Sequence, residues 1–518
     1  MTTSSNTGAA EETLPIDLLR ALPSAEILTE GPGVVRAAIA ITDLEQAAQQ
    51  LASRSGGRLA DLFADSSAGG QIVLHIVFAF DTHDLYLILE SLVLDNEYPP
   101  LSDIAPAAFL EECEIYEQFG LRPAGGKPLN RVAIPPQSDH DVPRLGPAAH
   151  SSPVDVHAAH RVGGNAFEFP FGPVRMAGAE SLYYGLVTSG EEVVDVYLLT
   201  WHKYRGLEWR LRGMTPSQAL FLVERVEGLS AVAQGWAFAD AVEHALDVTP
   251  TPAAACIRGI ALELERLYNH AAAIAALCQA TGLSVGQANA EIALEQLLRL
   301  NAAVFGHRYL FGVVALGGVA RAPNLAALAS GLPDAITQLR AVTYALSTTN
   351  SFLDRLEATG IVDSEQAVRL GLVGPVARAT GVDVDVRTRH PTPPYDTVCP
   401  TATVRANGDV FARYQVFLAE IEESARLLGR LAADAGEASV QPVPAAAGRG
   451  LGWAESPRGE TLAFVRLGED GLIQRARIRP ASVRNWRAFD DASRSHNVFT
   501  DIPIIEASFW LTVAGTAR

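Results

Sequence analysis

The sequence predicts an α+β protein: a small N-terminal α/β domain, then a large, mainly helical domain with peripheral strands. Three observations predict it. Runs rich in β-branched residues occupy the first 150 residues, apolar residues recur at three- and four-residue spacing after Thr215, and between them the stretch Ala133 to Val154 turns to Pro, Ser, Gly and His. With 48% hydrophobic residues in a chain of 518, a large core can be buried.

In the first domain, residues 1–150, VVRAAIAI (from Val34) and IVLHIVFAF (from Ile72) read as strands, with a helix from Asp43 to Ser53 between them and Asp43 as its cap. EECEIYEQFG then reads as an acidic helix ending at Gly120. Residues 151–164 read as linker. The large domain, 165–518, opens with strand candidates in FEFPFGPVRM and GEEVVDVYLLT. Helical patterns cover about Ala253–Leu277, Val285–Phe305, Asp334–Thr359 and Val410–Ala433, and long helices in one domain predict a bundle. After Pro442 the pattern reads as irregular, with short strands such as ETLAFVRL. No internal repeat is visible.

Forty basic against 59 acidic residues leave a net charge of −19, which excludes nucleic acid as a partner because phosphate binding needs clustered Lys and Arg. The polar start MTTSSNTGAAEETLP lacks an apolar signal core, and the apolar run Tyr309–Ala320 is too short to span a bilayer. Membrane attachment is therefore expected only through partners, on the cytoplasmic side. Cys113, Cys256, Cys278 and Cys399 stand far apart and form no C-x-x-C pair, so buried reduced thiols are expected.

A series of motifs in fixed order carries a resemblance: ELERLYNH (Glu263–His270), GHRYLFGVVALGGV (Gly306–Val319), LGLVGPVARATG (Leu370–Gly381) with Asp385, Arg387 and His390, GDVFAR from Gly408, ESPRGE (Glu455–Glu460) and DIPIIEAS (Asp501–Ser508). Over about residues 165–518 the chain resembles the large subunit of membrane-bound energy-converting [NiFe]-hydrogenases of the formate hydrogenlyase type. That family is similar to a peripheral-arm subunit of respiratory complex I. The first domain resembles the small peripheral-arm subunit of the same complexes, with Glu112, Glu114, Phe119 and Gly120 fitting its pattern and Cys113 and Glu117 departing from it.

In those hydrogenases four cysteine thiolates from two C-x-x-C pairs hold nickel, a soft-ligand site suited to a redox metal. Here Glu227 and Ser230 stand at the first pair and Thr512 and Gly515 at the second. The resemblance therefore implies a chain that has lost its nickel ligands and holds no metal. The quinone motif of complex I is lost as well: Arg175 and Ala179 replace its histidines, and Gly228 stands at its tyrosine.

Glu208 and Arg458 match polar positions around the family's metal, and Glu227 adds a carboxylate. Two readings stand. Glu208 and Glu227 carry protons in a polar cavity under Arg458, or a buried Glu–Arg pair fills a vacated site; Glu208 with Glu227 could also take Mg²⁺. His270 and His307 read as hydrogen-bonded core or interface histidines, while His140, His150, His157 and His160 fall in or beside the linker.

The function implied is a non-nickel subunit of a complex-I-like, membrane-attached oxidoreductase. Its expected partners are a small iron–sulfur subunit with a [4Fe–4S] cluster, a membrane anchor and antiporter-like, ion-translocating membrane subunits. The alternatives are a non-catalytic coupling or scaffold module and a quinone-reducing subunit with a remodelled pocket. A collapsed pocket would favour the scaffold, and a long apolar one would favour quinone.

Overall fold

A computed structural model describes residues 15–66, 69–125, 128–129, 132–134, 144–146, 166–175, 180–200, 202–494 and 496–518. The expected linker 151–164, Ala179 and the four histidines between 140 and 160 lie outside the described residues. The chain divides into two compact units, 1–129 and 130–518.

The first unit is a five-stranded sheet: β1 (Glu26–Gly31), β2 (Val34–Ala38), β3 (Arg58–Ser66), β4 (Ile72–Phe80) and β5 (Leu85–Val93), in the order β1-β2-β5-β4-β3. β4 is buried along nearly its whole length, as its unbroken apolar run requires. The expected helix appears as α1 (Leu44–Arg54), but Asp43 accepts the Ser24 hydroxyl at 2.5 Å instead of capping it. α2 (Phe109–Phe119) ends where Gly120 turns left-handed at φ 76°, a conformation glycine adopts without a Cβ clash.

The second unit begins with an antiparallel sheet of β6 (Phe167–Phe171), β7 (Tyr183–Ser189) and β8 (Glu192–Leu199). Its core is helical: α3 (Ala231–Leu246), α4 (Pro252–Ala280), α5 (Ser284–Phe305), α6 (Leu325–Ser347) and α7 (Val410–Asp434). α4 packs against α3, α5 and α7 and is buried on nearly every face. Thr251 caps it, accepting from Ala254 N at 3.2 Å, and Asp409 caps α7, accepting from Ala412 N at 2.8 Å. The expected helix 334–359 starts nine residues earlier, at Leu325, and breaks at Thr348 before a short helix, Asn350–Leu356.

The region after Pro442 corrects the sequence reading. It forms an antiparallel meander of β9 (Gly448–Ser456), β10 (Gly459–Leu467) and β11 (Ile473–Arg479), then α8 (Ala481–Ser493) and α9 (Ile502–Phe509). The glycines that suggested irregularity have a packing role. Gly448, Gly450 and Gly452 share one face of β9, and a Cβ on each would stand 2.0–2.2 Å from the carbonyl oxygens of Ala245, Ala241 and Ala237. Without side chains the strand lies directly on the α3 backbone, its two-residue period of about 6.8 Å close to the roughly 6 Å of four helical residues. This contact runs the β9–β10 turn, with Arg458, to the N-terminus of α3, where Ser230 sits.

Candidate functional site: the cavity at the replaced cysteine positions

The fold gathers Glu227, Ser230, Thr512 and Gly515, the four residues that the sequence resemblance sets at cysteine positions. Glu227 and Ser230 lie in the turn that starts α3; Thr512 and Gly515 lie in the turn after α9. Thr512 Oγ1 donates to Glu227 Oε1 at 2.5 Å, Ser482 Oγ donates to the same oxygen at 3.2 Å, and Gln234 Nε2 reaches Oε2 at 3.5 Å. Gly515 N donates to Thr512 Oγ1 at 3.1 Å, and a Cβ at 515 would stand 2.3 Å from Glu227 Oε1. The set is one carboxylate, two hydroxyls and a position with no side chain. It offers no thiolate and does not fit a nickel centre. Among the described residues no group of three or more His, Cys, Asp or Glu is arranged to hold a metal ion.

Arg458 is buried (3% exposed) beside this set. Its Nη1 donates to Ser230 Oγ at 2.6 Å, its Nε to the Trp510 carbonyl at 2.6 Å, and its guanidinium stands 5.7 Å from the Trp510 ring centre. The expected Glu227–Arg458 pair does not form. Hydroxyl donors from α8 and the C-terminal turn reach Glu227 first, and Arg458 is drawn to Ser230. The two side chains nevertheless share one cavity of about 620 Å³, walled by Tyr309, Phe311, Trp486 and Trp510.

Glu208 is not among the groups lining this cavity. It is buried among Arg475 (2.8 Å), Arg518 (3.0 Å) and Arg477 (3.7 Å). Burial alone would raise its carboxyl, but the three guanidiniums outweigh it and hold the group down at about 2. Glu208 is thus engaged by three guanidiniums and does not line the cavity that Glu227 lines, so the two carboxylates expected to share one cavity do not. Glu208 anchors the C-terminal residues instead. Glu180 accepts from Val513 N (2.5 Å) and Ala514 N (2.8 Å), Trp486 Nε1 donates to the Thr512 carbonyl (3.0 Å) and Arg205 Nε to the Ala517 carbonyl (2.9 Å). Four separate elements therefore hold the turn that presents Thr512 and Gly515.

Two features were not anticipated from the sequence. Arg175, read only as a lost quinone histidine, pairs with Glu506 at 2.7 Å on the cavity wall. Glu265 lies behind Ser230, accepting from Val232 N (2.7 Å) and Ala233 N (3.1 Å) at the start of α3. Burial raises its carboxyl to about 8 against those bonds and against Arg458 and Arg266. Two carboxylates two residues apart on a helix diverge by about 200°, which was the available signal. Glu263, its neighbour in ELERLYNH, faces a different group.

That group is a buried ionic network of motif residues. Glu263 meets Arg387 (3.2 Å), Arg266 (3.3 Å) and the Tyr395 hydroxyl (2.6 Å); Arg378 meets Asp385 (2.6 Å), Glu455 (3.3 Å) and Glu420. His270 Nε2 lies 2.6 Å from Glu420, and burial followed by Arg266 pushes its pKa well down, so it is a neutral donor. His307 Nδ1 accepts from Tyr309 N at 3.1 Å. Both histidines are hydrogen-bonded, as read from the sequence. Cys113, Cys256 and Cys278 are buried, whereas Cys399 is exposed, contrary to expectation.

Residues 292–445 match the family described as respiratory-chain NADH dehydrogenase, 49 kDa subunit. The chain is 26% identical over 495 residues to formate hydrogenlyase subunit 5 of Escherichia coli, covering 91% of this chain and 86% of that one. It is 26% identical over 434 residues to the NADH-quinone oxidoreductase C/D subunit of Phocaeicola vulgatus, covering 78% and 83%. In fold it is similar to a chain in the structure of the membrane-bound sulfane sulfur reductase, an archaeal respiratory membrane complex, with a TM-score of 0.64, 23% identity, and 68% of this chain and 99% of that one covered.

Proposed function

We propose that this chain, a relative of the formate hydrogenlyase and NADH-quinone oxidoreductase large subunits, is the non-nickel large subunit of a complex-I-like, membrane-attached oxidoreductase and takes its electron acceptor into the cavity beside Glu227 and Arg458. The observation that carries the reading is the cavity itself. About 620 Å³ stays open beside Glu227, Thr512 and Arg458, between aromatic walls and a few convergent polar groups. That volume suits a small acceptor, and it disfavours the alternative of a scaffold whose former site has filled with side chains.

Electrons would come from the [4Fe–4S] cluster of a small iron–sulfur partner, and the reaction would be coupled to antiporter-like membrane subunits through a membrane anchor. No helix among the described residues is long and apolar enough to cross a membrane, which agrees with peripheral attachment. Within this chain, the aromatic walls bind the acceptor and exclude water, the clasped C-terminal turn fixes the polar end, and Glu265, protonated near neutral pH, is a reserve of protons one layer behind.

The test is a native complex isolated through a tag on this chain, with its subunits identified by mass spectrometry and viologen-driven turnover measured with decylubiquinone and with polysulfide. Gly228 lines the cavity, and a Cβ there meets nothing within 4 Å. Gly228→Trp should fill the cavity and abolish turnover while the complex stays assembled. Undiminished turnover in that variant would refute an acceptor site here.

A further inference from the structure

Three carboxylates and two guanidiniums line the cavity, and each carboxylate already has its hydrogen-bond donors. Glu506 pairs with Arg175, Glu180 accepts two backbone N–H groups, and Glu227 accepts the Thr512 and Ser482 hydroxyls. Arg458 differs. Both of its hydrogen bonds go to neutral acceptors, the Ser230 hydroxyl and the Trp510 carbonyl, and its Nη2 makes no hydrogen bond with a described residue. No carboxylate among the described residues forms an ion pair with it. A guanidinium presents five N–H donors in a rigid fork, so most of this one's donors remain unused.

A guanidinium that is 3% exposed and has no ion-pair partner among the described residues is costly, by several kcal/mol in general, unless something neutralises it. The nearby carboxyl that could do so is Glu265, but burial pushes it up to about 8, and it is then largely protonated at neutral pH. The other carboxylates of this region are engaged elsewhere: Glu208 with its three arginines, Glu263 in the network around Arg387, Glu227 with two hydroxyls and Glu180 with two backbone N–H groups. The Arg458 guanidinium lines an open cavity whose wall also includes Trp486 and Trp510.

We infer that Arg458 is an anion subsite: the ligand of the cavity carries a terminal anionic group, an oxyanion or a sulfur anion, that the free edge of the Arg458 guanidinium binds at the polar end while the rest of the ligand lies between Trp486 and Trp510. The inference rests on the acceptor-site reading above and narrows its substrate class from a neutral ring to an anion. Charge-assisted bonds from a guanidinium are short and strong, and a desolvated fork selects geometry as well as charge. The same arrangement disfavours a neutral head group, which would leave the cation unneutralised.

The experiment is equilibrium dialysis of the isolated complex with radiolabelled thiosulfate, run beside decylubiquinone binding, for the unaltered protein and for Arg458→Gln, Arg458→Lys and Gly228→Trp. Thiosulfate should bind saturably, more weakly as KCl rises, at least tenfold more weakly in Arg458→Gln, with intermediate affinity in Arg458→Lys, and not in Gly228→Trp. Arg458→Lys keeps the charge, so it decides the matter even if Arg458→Gln fails to assemble. Thiosulfate binding as tight in Arg458→Gln as in the unaltered complex would overturn the inference. So would decylubiquinone binding in the cavity without any from thiosulfate, which leaves the acceptor site standing. If neither probe binds and Gly228→Trp turns over normally, both readings fall together.

Discussion

The Thr512 hydroxyl donates a 2.5 Å hydrogen bond to Glu227 Oε1 across 285 residues of chain. The bond joins the turn that starts α3 to the turn after α9. A buried carboxylate is tolerated here because two hydroxyls and an amide supply the donors that water would otherwise supply.

Thr512→Val removes the nearest donor and leaves Glu227 partly unsatisfied. The variant should be less stable by about 1–3 kcal/mol, the usual cost of a stranded buried polar group. Adding Glu227→Gln should recover part of that loss. Denaturant melts of the single and double variants measure the coupling. Strictly additive effects would show that the bond contributes nothing.

Glu265 should make stability fall as the solution turns alkaline. Its folded pKa, about 8, lies above the ordinary carboxyl value of 4.5. The contribution is fully present below about pH 4.5 and is lost as pH rises through about 8, because the folded state binds the proton more tightly than the unfolded one. Glu265→Gln cannot ionise and keeps an acceptor for only one of Val232 N and Ala233 N, so it is less stable overall but has lost this pH dependence. Its melting temperature should therefore decline less than that of the unaltered protein between pH 5 and pH 9, and parallel curves would contradict the assignment.

Glu208 should act in the opposite direction. Its folded pKa, about 2, lies below the ordinary value of 4.5. Its contribution is fully present above about pH 4.5 and is lost as pH falls through about 2. Glu208→Gln leaves Arg475, Arg477 and Arg518 without their shared anion and should destabilise the protein by about 3–5 kcal/mol at neutral pH. It should also flatten the acid limb of the stability profile and loosen the C-terminal residues, which limited carboxypeptidase digestion detects.

Nickel should be absent. The four gathered positions provide one carboxylate, two hydroxyls and a glycine, a poor match for a soft redox metal. Elemental analysis of the assembled complex, produced in nickel-supplemented medium, should find far less than one nickel per chain, and viologen-driven hydrogen evolution should be undetectable. Stoichiometric nickel would require ligands other than these.

The resemblance singled out Glu227, Ser230, Thr512, Gly515 and Arg458 from motif order alone, and the structure brings all five to one region. Helices with strong periodicity, such as α4 and α7, appear near the predicted bounds. The Gly-rich stretch after Pro442 was opaque because a glycine signals either a turn or a close approach, and only a partner surface separates the two. In β9 that partner is the α3 backbone at Ala237, Ala241 and Ala245.

By itself, then, the sequence determined which ligands are missing: it holds no C-x-x-C pair, so no arrangement of this chain supplies two such pairs of thiolates. It also determined the helical core, since apolar periodicity is local. Which charges meet was decided by the tertiary structure alone. Glu208 reached three arginines brought by β11 and the C-terminal turn, Glu227 reached the hydroxyls of Ser482 and Thr512, and Arg458 was left with neutral acceptors facing open space. The energy of a buried charge depends on its nearest few ångströms, and those neighbours come from segments hundreds of residues apart, so no local pattern encodes them.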